Sequence, residues 1–224
     1  MVLPALRPAA ADVMVAPMQP RHLRGVLDIE RRVYPRPWSP SLFAAELERH
    51  LDRRYLVALA RTGRLLRRRS VVGYAGVMVQ PGQDGTDAHI TSVAVDPAQH
   101  RRKIGSRLLR GLLRASLELG ATSATLEVRT ANRGAQRLYA AFGFAPVGVR
   151  PRYYAETGED ALIMWAHDIG SQAYAERLAA IQSGLGDPGG SSGAPDEDVP
   201  WVRGRIGLPR ADQPAPGSTA GEAV

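Results

Sequence analysis

The stretch Asp96–Leu109, DPAQHRRKIGSRLL, decides how the rest of the chain is read. It gathers His100, Arg101, Arg102, Lys103 and Arg107 around the single glycine Gly105, then turns into an apolar repeat. Before it, AHITSVAVD reads as a strand. After it, Ile104, Leu108, Leu112 and Ala115 recur at helical spacing, widened by Leu109 and Leu113, until Gly120 closes the pattern as a C-terminal cap. A basic loop therefore joins a strand to the start of a helix. The first N–H groups of a helix have no intrahelical acceptor, and the helix dipole places partial positive charge at the same end. Such a junction attracts anions. A pyrophosphate there would collect the N–H groups of Arg102 to Ser106, with Gly105 letting it approach the backbone. The same residues also fit an ordinary strand-to-helix turn with solvated arginines.

Outward from this loop the elements alternate. DVMVAPM reads as a strand, and PRHLRGVLDIERRVY places Leu23, Val26, Leu27, Glu30, Val33 and Tyr34 at helical spacing. WSPSLFAAELERHL begins a second helix, with Ser39 as N-cap and Pro40 at the first helical position. RYLVALA, SVVGYAGVMV and AHITSVAVD form a meander, whose arginine-rich connection RTGRLLRRRS reads as a solvated hairpin tip. Beyond the central helix come the strand ATSATLEVR, a short helix NRGAQRLYAAFGF closed by Gly143, and a hairpin of PVGVRPRYY with EDALIMWAHD. Seven strands interleaved with helices in this order pack most economically as an α/β (α+β) sheet covered on both faces.

Composition bounds the function. The 224 residues suit one domain with extensions. The domain is expected over 13–168, after a flexible N-terminal tail at 1–12. SQAYAERLAAIQ, with Tyr174, Leu178 and Ile181 as its stripe, is a candidate helix within 169–182. The Gly/Pro-rich segment 183–224 is read as a disordered tail, because it buries too little apolar surface to offset its ordering entropy. No apolar run is long enough to span a bilayer and the start lacks a secretory pattern, so a cytoplasmic protein without a membrane partner is expected. Without cysteine there is no thiol nucleophile. His22, His50, His89, His100 and His167 show no HExxH-type spacing, so no metal is expected. A net charge of +7 favours encounters with polyanions such as ribosomes.

Three further residues carry chemistry. In TLEVR, Leu126 and Val128 face one side of the strand and Thr125, Glu127 and Arg129 the other, so Glu127 lies amid an apolar strand. Burial there is expected to raise its pKa toward that of a general base, unless it is a surface carboxylate paired with Arg129. Asn132 precedes the next helix and suits its N-cap, and Tyr139 lies two turns along the same side.

Together, SVAVDPAQHRRKIGSRLL and LEVRTANRGAQRLYAAFGF resemble the acetyl-CoA core of the Gcn5-related N-acetyltransferases (GNAT superfamily). The segments IERRVYPRPWSPSLFAAEL and GVRPRYYAETGEDALIMW are similar to the RimI-type ribosomal-protein alanine N-acetyltransferases. The resemblance covers roughly 13–168 and implies the GNAT fold, a central, mixed, largely antiparallel sheet of about seven strands flanked by helices. It implies acetyl-CoA as co-substrate, with Val93, Ala94 and Val95 pairing with the pantetheine amides. Arg101, Arg102, Lys103, Ile104, Gly105 and Ser106 would cradle the pyrophosphate and Asn132 would bond the pantetheine arm. Glu127 would be the base and Tyr139 the acid. The family's phosphate motif is written Gln/Arg-x-x-Gly-x-Gly/Ala; here His100 leads and Lys103 replaces the first glycine.

The acceptor implied is a protein N-terminus, the N-terminal alanine of a small-subunit ribosomal protein, entering a groove walled by Trp38, Tyr153 and Tyr154. These three aromatics equally suit packing of the first helices on the terminal hairpin. With no cysteine, direct attack in a ternary complex is expected, with a backbone N–H near Val95 holding the oxyanion. Two other readings share these residues. A small-molecule amine acetyltransferase would keep the cofactor half and change the groove. A non-catalytic ribosome- or nucleic-acid-binding module would use the arginines, although RTGRLLRRRS and HRRKIGSR lack the aromatics that stack on bases. Direct contact with nucleic acid is not needed for the enzymatic reading.

Overall fold

The computed structural model describes residues 13–61, 69–82 and 85–185. The expected tails at 1–12 and 186–224 and most of the arginine-rich hairpin tip, 62–68, lie outside them. Strands β1 (Val13–Pro17), β2 (Arg53–Arg61), β3 (Arg69–Pro81), β4 (Thr86–Val95), β5 (Ser123–Arg129), β6 (Ala145–Tyr154) and β7 (Glu159–Ala166) form one sheet in the order β1-β2-β3-β4-β5-β7-β6. Helices α1 (Leu23–Val33) and α2 (Pro40–Glu48) follow β1; α3 (Ile104–Glu118) connects β4 to β5, α4 (Arg133–Ala141) connects β5 to β6, and α5 (Gln172–Leu185) follows β7. Every pairing is antiparallel except β4 with β5, where the α3 crossover reverses the chain.

The apolar run of β2 is explained by burial on both faces. Leu56, Ala58 and Ala60 join Leu108, Leu109 and Leu112 of α3 on one side. Tyr55, Val57 and Leu59 join Val26, Ile29 and Phe43 of α1 and α2 on the other. Each fully buried Leu, Ile or Phe here contributes about 2 kcal/mol through the hydrophobic effect. Helix ends follow their sequence signals: Ser39 Oγ accepts from Leu42 N at 3.1 Å, and Gly120 (φ 83°) and Gly143 (φ 89°) follow α3 and α4 in the left-handed conformation. The first helix is shorter than its apolar pattern. Pro20–His22 make a 3-10 turn before α1, and Tyr34 is already extended because Pro35 follows it.

Two features shape the centre of the sheet. The pairing of β4 with β5 runs from Asp87↔Ser123 to His89↔Thr125 and stops there. Beyond it, among the described residues, Glu127 to Arg129 pair only with β7, and Ser92 to Val95 only with β3. The sheet therefore splits at His89, and the register of β3 against β4 shifts beside it, leaving Thr91 as the extra residue of a bulge.

The helix expected to end at 182 continues to Leu185. Its stripe of Tyr174, Leu178 and Ile181 packs on the main core, and Leu185 is itself buried. Lys103 Nζ donates to Gly184 O at 2.5 Å and Arg107 Nη2 to Leu185 O at 2.7 Å. Cations thus satisfy the last carbonyls, so Ser183–Leu185 belong to the helix and not to a tail.

Candidate active site

The start of α3 adopts a demanding backbone. Arg101 (φ 65°) and Lys103 (φ 57°) are both left-handed, a conformation that costs a non-glycine residue about 1–2 kcal/mol. Lys103 thus adopts a left-handed conformation that glycine would take without strain, and its side chain ties down the end of α5. Lys103→Gly should relieve the strain and lose that one exposed bond, leaving stability within about 1 kcal/mol of the parent in urea denaturation. Gly105 has a structural duty beyond the one expected. A Cβ there would lie 3.2 Å from Leu138 Cδ2, so it lets α3 start close against α4. Ile104 is buried in the core and can offer a ligand only its N–H; Arg101 and Lys103 are exposed, and Arg102 and Ser106 half-buried. Arg102 Nη1 donates to Gln99 Oε1, and His100 Nε2 bonds Val95 O at 3.2 Å.

Val93, Ala94 and Val95 pair on one side with Ala75, Tyr74 and Gly73 of β3 and present their other edge to the split. On its far side, Asn132 caps α4 by accepting from Ala135 N at 3.0 Å through Oδ1, which leaves its amide NH2 to serve a carbonyl. An unpaired strand edge, a helix start and an Asn amide fit an amide-bearing chain that ends in a diphosphate.

Glu127 sits on β5 two residues past the point of splitting. Its side chain is 9% exposed, accepts from His89 Nε2 at 2.7 Å, and lies 3.6 Å from Arg150 Nη2. Burial pushes its carboxyl up, but the His89 hydrogen bond and charge, with Arg150, outweigh burial and hold it below the ordinary glutamate range. This corrects the expectation of a raised pKa: that reading counted desolvation without the partners folded around it. Arg129 is not the partner of Glu127 either. It pairs with Glu156 at 2.5 Å and Glu159 at 3.0 Å and lies 3.9 Å over the Tyr154 ring.

Tyr139 is buried on α4 against Phe144, and burial pushes its hydroxyl up to about 12. The Tyr154 hydroxyl reaches Glu127 O at 3.5 Å, its ring edge-on to Tyr153. Tyr153 in turn lies near Arg150, 5.7 Å from the guanidinium to the ring centre. Trp38 packs on Phe43 with ring centres 5.1 Å apart and donates its N–H to Glu30 Oε2 at 2.8 Å. These contacts of Trp38 lie within the first two helices and do not reach the terminal hairpin. Among the described residues no ring pair or hydrogen bond joins Trp38 to Tyr153 or Tyr154. The link between the two walls is Tyr34, whose hydroxyl is raised by burial and then by Glu30, Tyr139 and Tyr154 nearby.

Residues the sequence reading passed over are therefore His89, Arg150, Tyr34 and Glu30. Glu30 and Tyr34 appeared only as members of a helical stripe, and His89 only in the search for metal spacing. Among the described residues no cluster of three or more His, Asp or Glu side chains is placed to hold a metal ion, and no helix is long and apolar enough to cross a membrane.

A split seven-stranded sheet with a basic helix start at its mouth and a carboxylate at its apex defines an acyl-CoA-dependent transferase fold, and the chain belongs to the acetyltransferase (GNAT) family, whose profile matches residues 23–144. The N-alpha-acetyltransferase RimI of Mycobacterium tuberculosis is 40% identical over 128 residues, 57% of this chain and 74% of that protein. The ribosomal protein bS18-alanine N-acetyltransferase of Escherichia coli K12 is 31% identical over 153 residues, covering 67% of this chain and 94% of the relative. A crystal structure of the ribosomal-protein-S18-alanine N-acetyltransferase from Escherichia coli superposes with a TM-score of 0.56 at 26% identity, covering 70% of this chain and 94% of that one. The expected mixed, largely antiparallel sheet with helices on both faces is the one observed.

Proposed function

We propose that this chain moves an acetyl group from acetyl-CoA to the α-amino group of a protein, with the N-terminal alanine of ribosomal protein bS18 as the favoured acceptor. The observation that carries this reading is the buried carboxylate of Glu127 at the apex of the split between β4 and β5. The bS18-alanine specificity named for the Escherichia coli relative supports the acceptor.

Acetyl-CoA supplies an acetyl group activated as a thioester. The edge of Val93 to Val95 and the Asn132 amide hold the pantetheine arm, and the N–H groups of Arg102 to Ser106, with the charges of Arg101 and Lys103, hold the pyrophosphate. Glu127 is ionised at neutral pH, so it accepts a proton from the incoming ammonium, directly or through water. An α-amino group, with its pKa of roughly 7.7–8.0 against about 10.4 for lysine, is the easier amine to deprotonate. A backbone N–H near Val95 would hold the acetyl oxygen. Tyr139 has too high a pKa to hand over its proton freely, because a thiol titrates near about 8.5; it serves the departing sulfur mainly as a hydrogen-bond donor. The transfer is direct, since the chain has no cysteine to carry the acetyl group. Tyr34, Tyr153 and Tyr154 line the acceptor side, with Trp38 fixing the loop between α1 and α2.

The test combines a thermal shift with product analysis. Acetyl-CoA at 100 times its Kd should stabilise the protein by about 2.7 kcal/mol, and mass spectrometry should find peptides beginning with the bS18 N-terminal sequence acetylated at the α-amine. Equal acetylation of free polyamines or aminoglycosides would replace this acceptor with a small molecule. Salt-sensitive nucleic-acid binding without any acetyl-CoA shift would replace the enzyme with a binding module.

A further inference from the structure

We infer that His89 is the positioning residue that holds Glu127 across the split in the sheet, so that one carboxylate oxygen is fixed and the other is free to meet the amine. This rests on the reading of Glu127 as the base.

Glu127 lies beyond the last β4–β5 pair, where β5 has lost the neighbour that would stiffen it on that side. His89 is the last residue of β4 to be paired with β5, opposite Thr125, which is two residues before Glu127 and so on the same face. It is backed by β3 through its pairing with Met78 and is itself buried. A rigid residue thus reaches past the apex to a less restrained one. The bond is 2.7 Å long and joins Nε2 to Oε2, between side chains 11% and 9% exposed. The other cation near the carboxylate, Arg150, is 3.6 Å away with half its side chain in solvent, so its attraction is screened. His89 therefore supplies the short side-chain bond that fixes Oε2, beside a backbone N–H at Glu127 and the screened charge of Arg150.

The bond also settles a tautomer. An ionised carboxylate is acceptor-only, so Nε2 of His89 must carry the hydrogen whether the ring is neutral or charged. With Oε2 held by the imidazole, Oε1, 3.6 Å from Arg150 Nη2, is assigned the proton leaving the amine. Glu127 takes the first proton of the ammonium, the second leaves the nitrogen as the amide forms and goes to the departing thiolate, which is released as the thiol, and the imidazole keeps its own hydrogen.

Removing the imidazole has two consequences that a packing residue would not produce. The carboxylate loses its fixed orientation, and burial is then opposed mainly by Arg150, so its titration moves upward. The groups facing Glu127 from beyond β7, Arg150, Tyr153 and Tyr154 on β6, stay in place.

The experiment compares His89→Ala, His89→Gln and Glu127→Gln with the parent, using one peptide and acetyl-CoA. His89→Ala should lower kcat by roughly tenfold or more while KM for acetyl-CoA changes less than about twofold, and the acid limb of its kcat profile should move to higher pH. His89→Gln, whose amide can still donate to Oε2, should recover most of the lost kcat. Parental kcat in His89→Ala, or a loss in His89→Gln as large as in His89→Ala when both melt like the parent, overturns the inference. If His89→Ala does not fold, His89→Gln still decides: it must stay within about threefold of the parental kcat. Glu127→Gln separates the two claims, because parental turnover in that variant removes the base itself, whereas its collapse beside unaffected His89 variants removes only the positioning role.

Discussion

Glu127→Gln is expected to lower kcat by about a hundredfold to ten-thousandfold, the range a positioned general base contributes, while acetyl-CoA binding stays at the parental level. Glutamine keeps the shape of the side chain and can still accept from His89 Nε2 through its carbonyl. It cannot take a proton. Because the native carboxyl is held below the ordinary range by His89 and Arg150 against the pull of burial, none of it is idle in protonated form at neutral pH. The loss in the variant should accordingly be the same at pH 7 and pH 8. Steady-state rates with the N-terminal peptide, set beside a thermal shift with acetyl-CoA, check both halves; unaltered turnover would move the role to another group, such as Tyr153 or Tyr154.

The second large effect concerns stability. Glu30 is 2% exposed on α1, accepting from the Tyr74 hydroxyl and from Trp38 N at 2.8 Å. Burial raises its carboxyl to about 7, although the Trp38 N–H works against that shift. A carboxyl whose pKa is higher in the folded state binds more protons there, so stability falls as pH rises between the ordinary glutamate value and about 7. The full shift corresponds to about 3 kcal/mol at most. The protein should therefore unfold at a higher urea concentration at pH 5 than at pH 8, and Glu30→Gln should flatten that difference. A parent with equal midpoints at the two pH values would show that Glu30 is as easily ionised folded as unfolded.

The order of elements was legible because each carries a local signal. Ser39–Pro40 starts α2, Gly120 and Gly143 end α3 and α4, and the alternating runs define seven strands. The candidate base was legible too, since the alternation in TLEVR sets Glu127 apart from Leu126 and Val128. What was not legible depends on register between distant segments. His89 and Glu127 are 38 residues apart, and only the short parallel pairing of β4 with β5 brings them together. The direction of the Glu127 shift was lost for the same reason. Likewise Glu30 looked like one more position on an amphipathic helix, because Tyr74, its partner, lies 44 residues away on β3. The run-on of α5 to Leu185 rests on Lys103 and Arg107, some 80 positions earlier, and no rule of composition anticipates such a cap.

That cap couples two parts of the chain that would otherwise answer separately to change. The turn that receives the donor's phosphates and the closing helix are bolted together by two cations, so shortening the protein ahead of Gln172 would be felt first at the mouth of the cofactor channel. A bulky fusion placed just after Leu185 would sit beside that mouth as well.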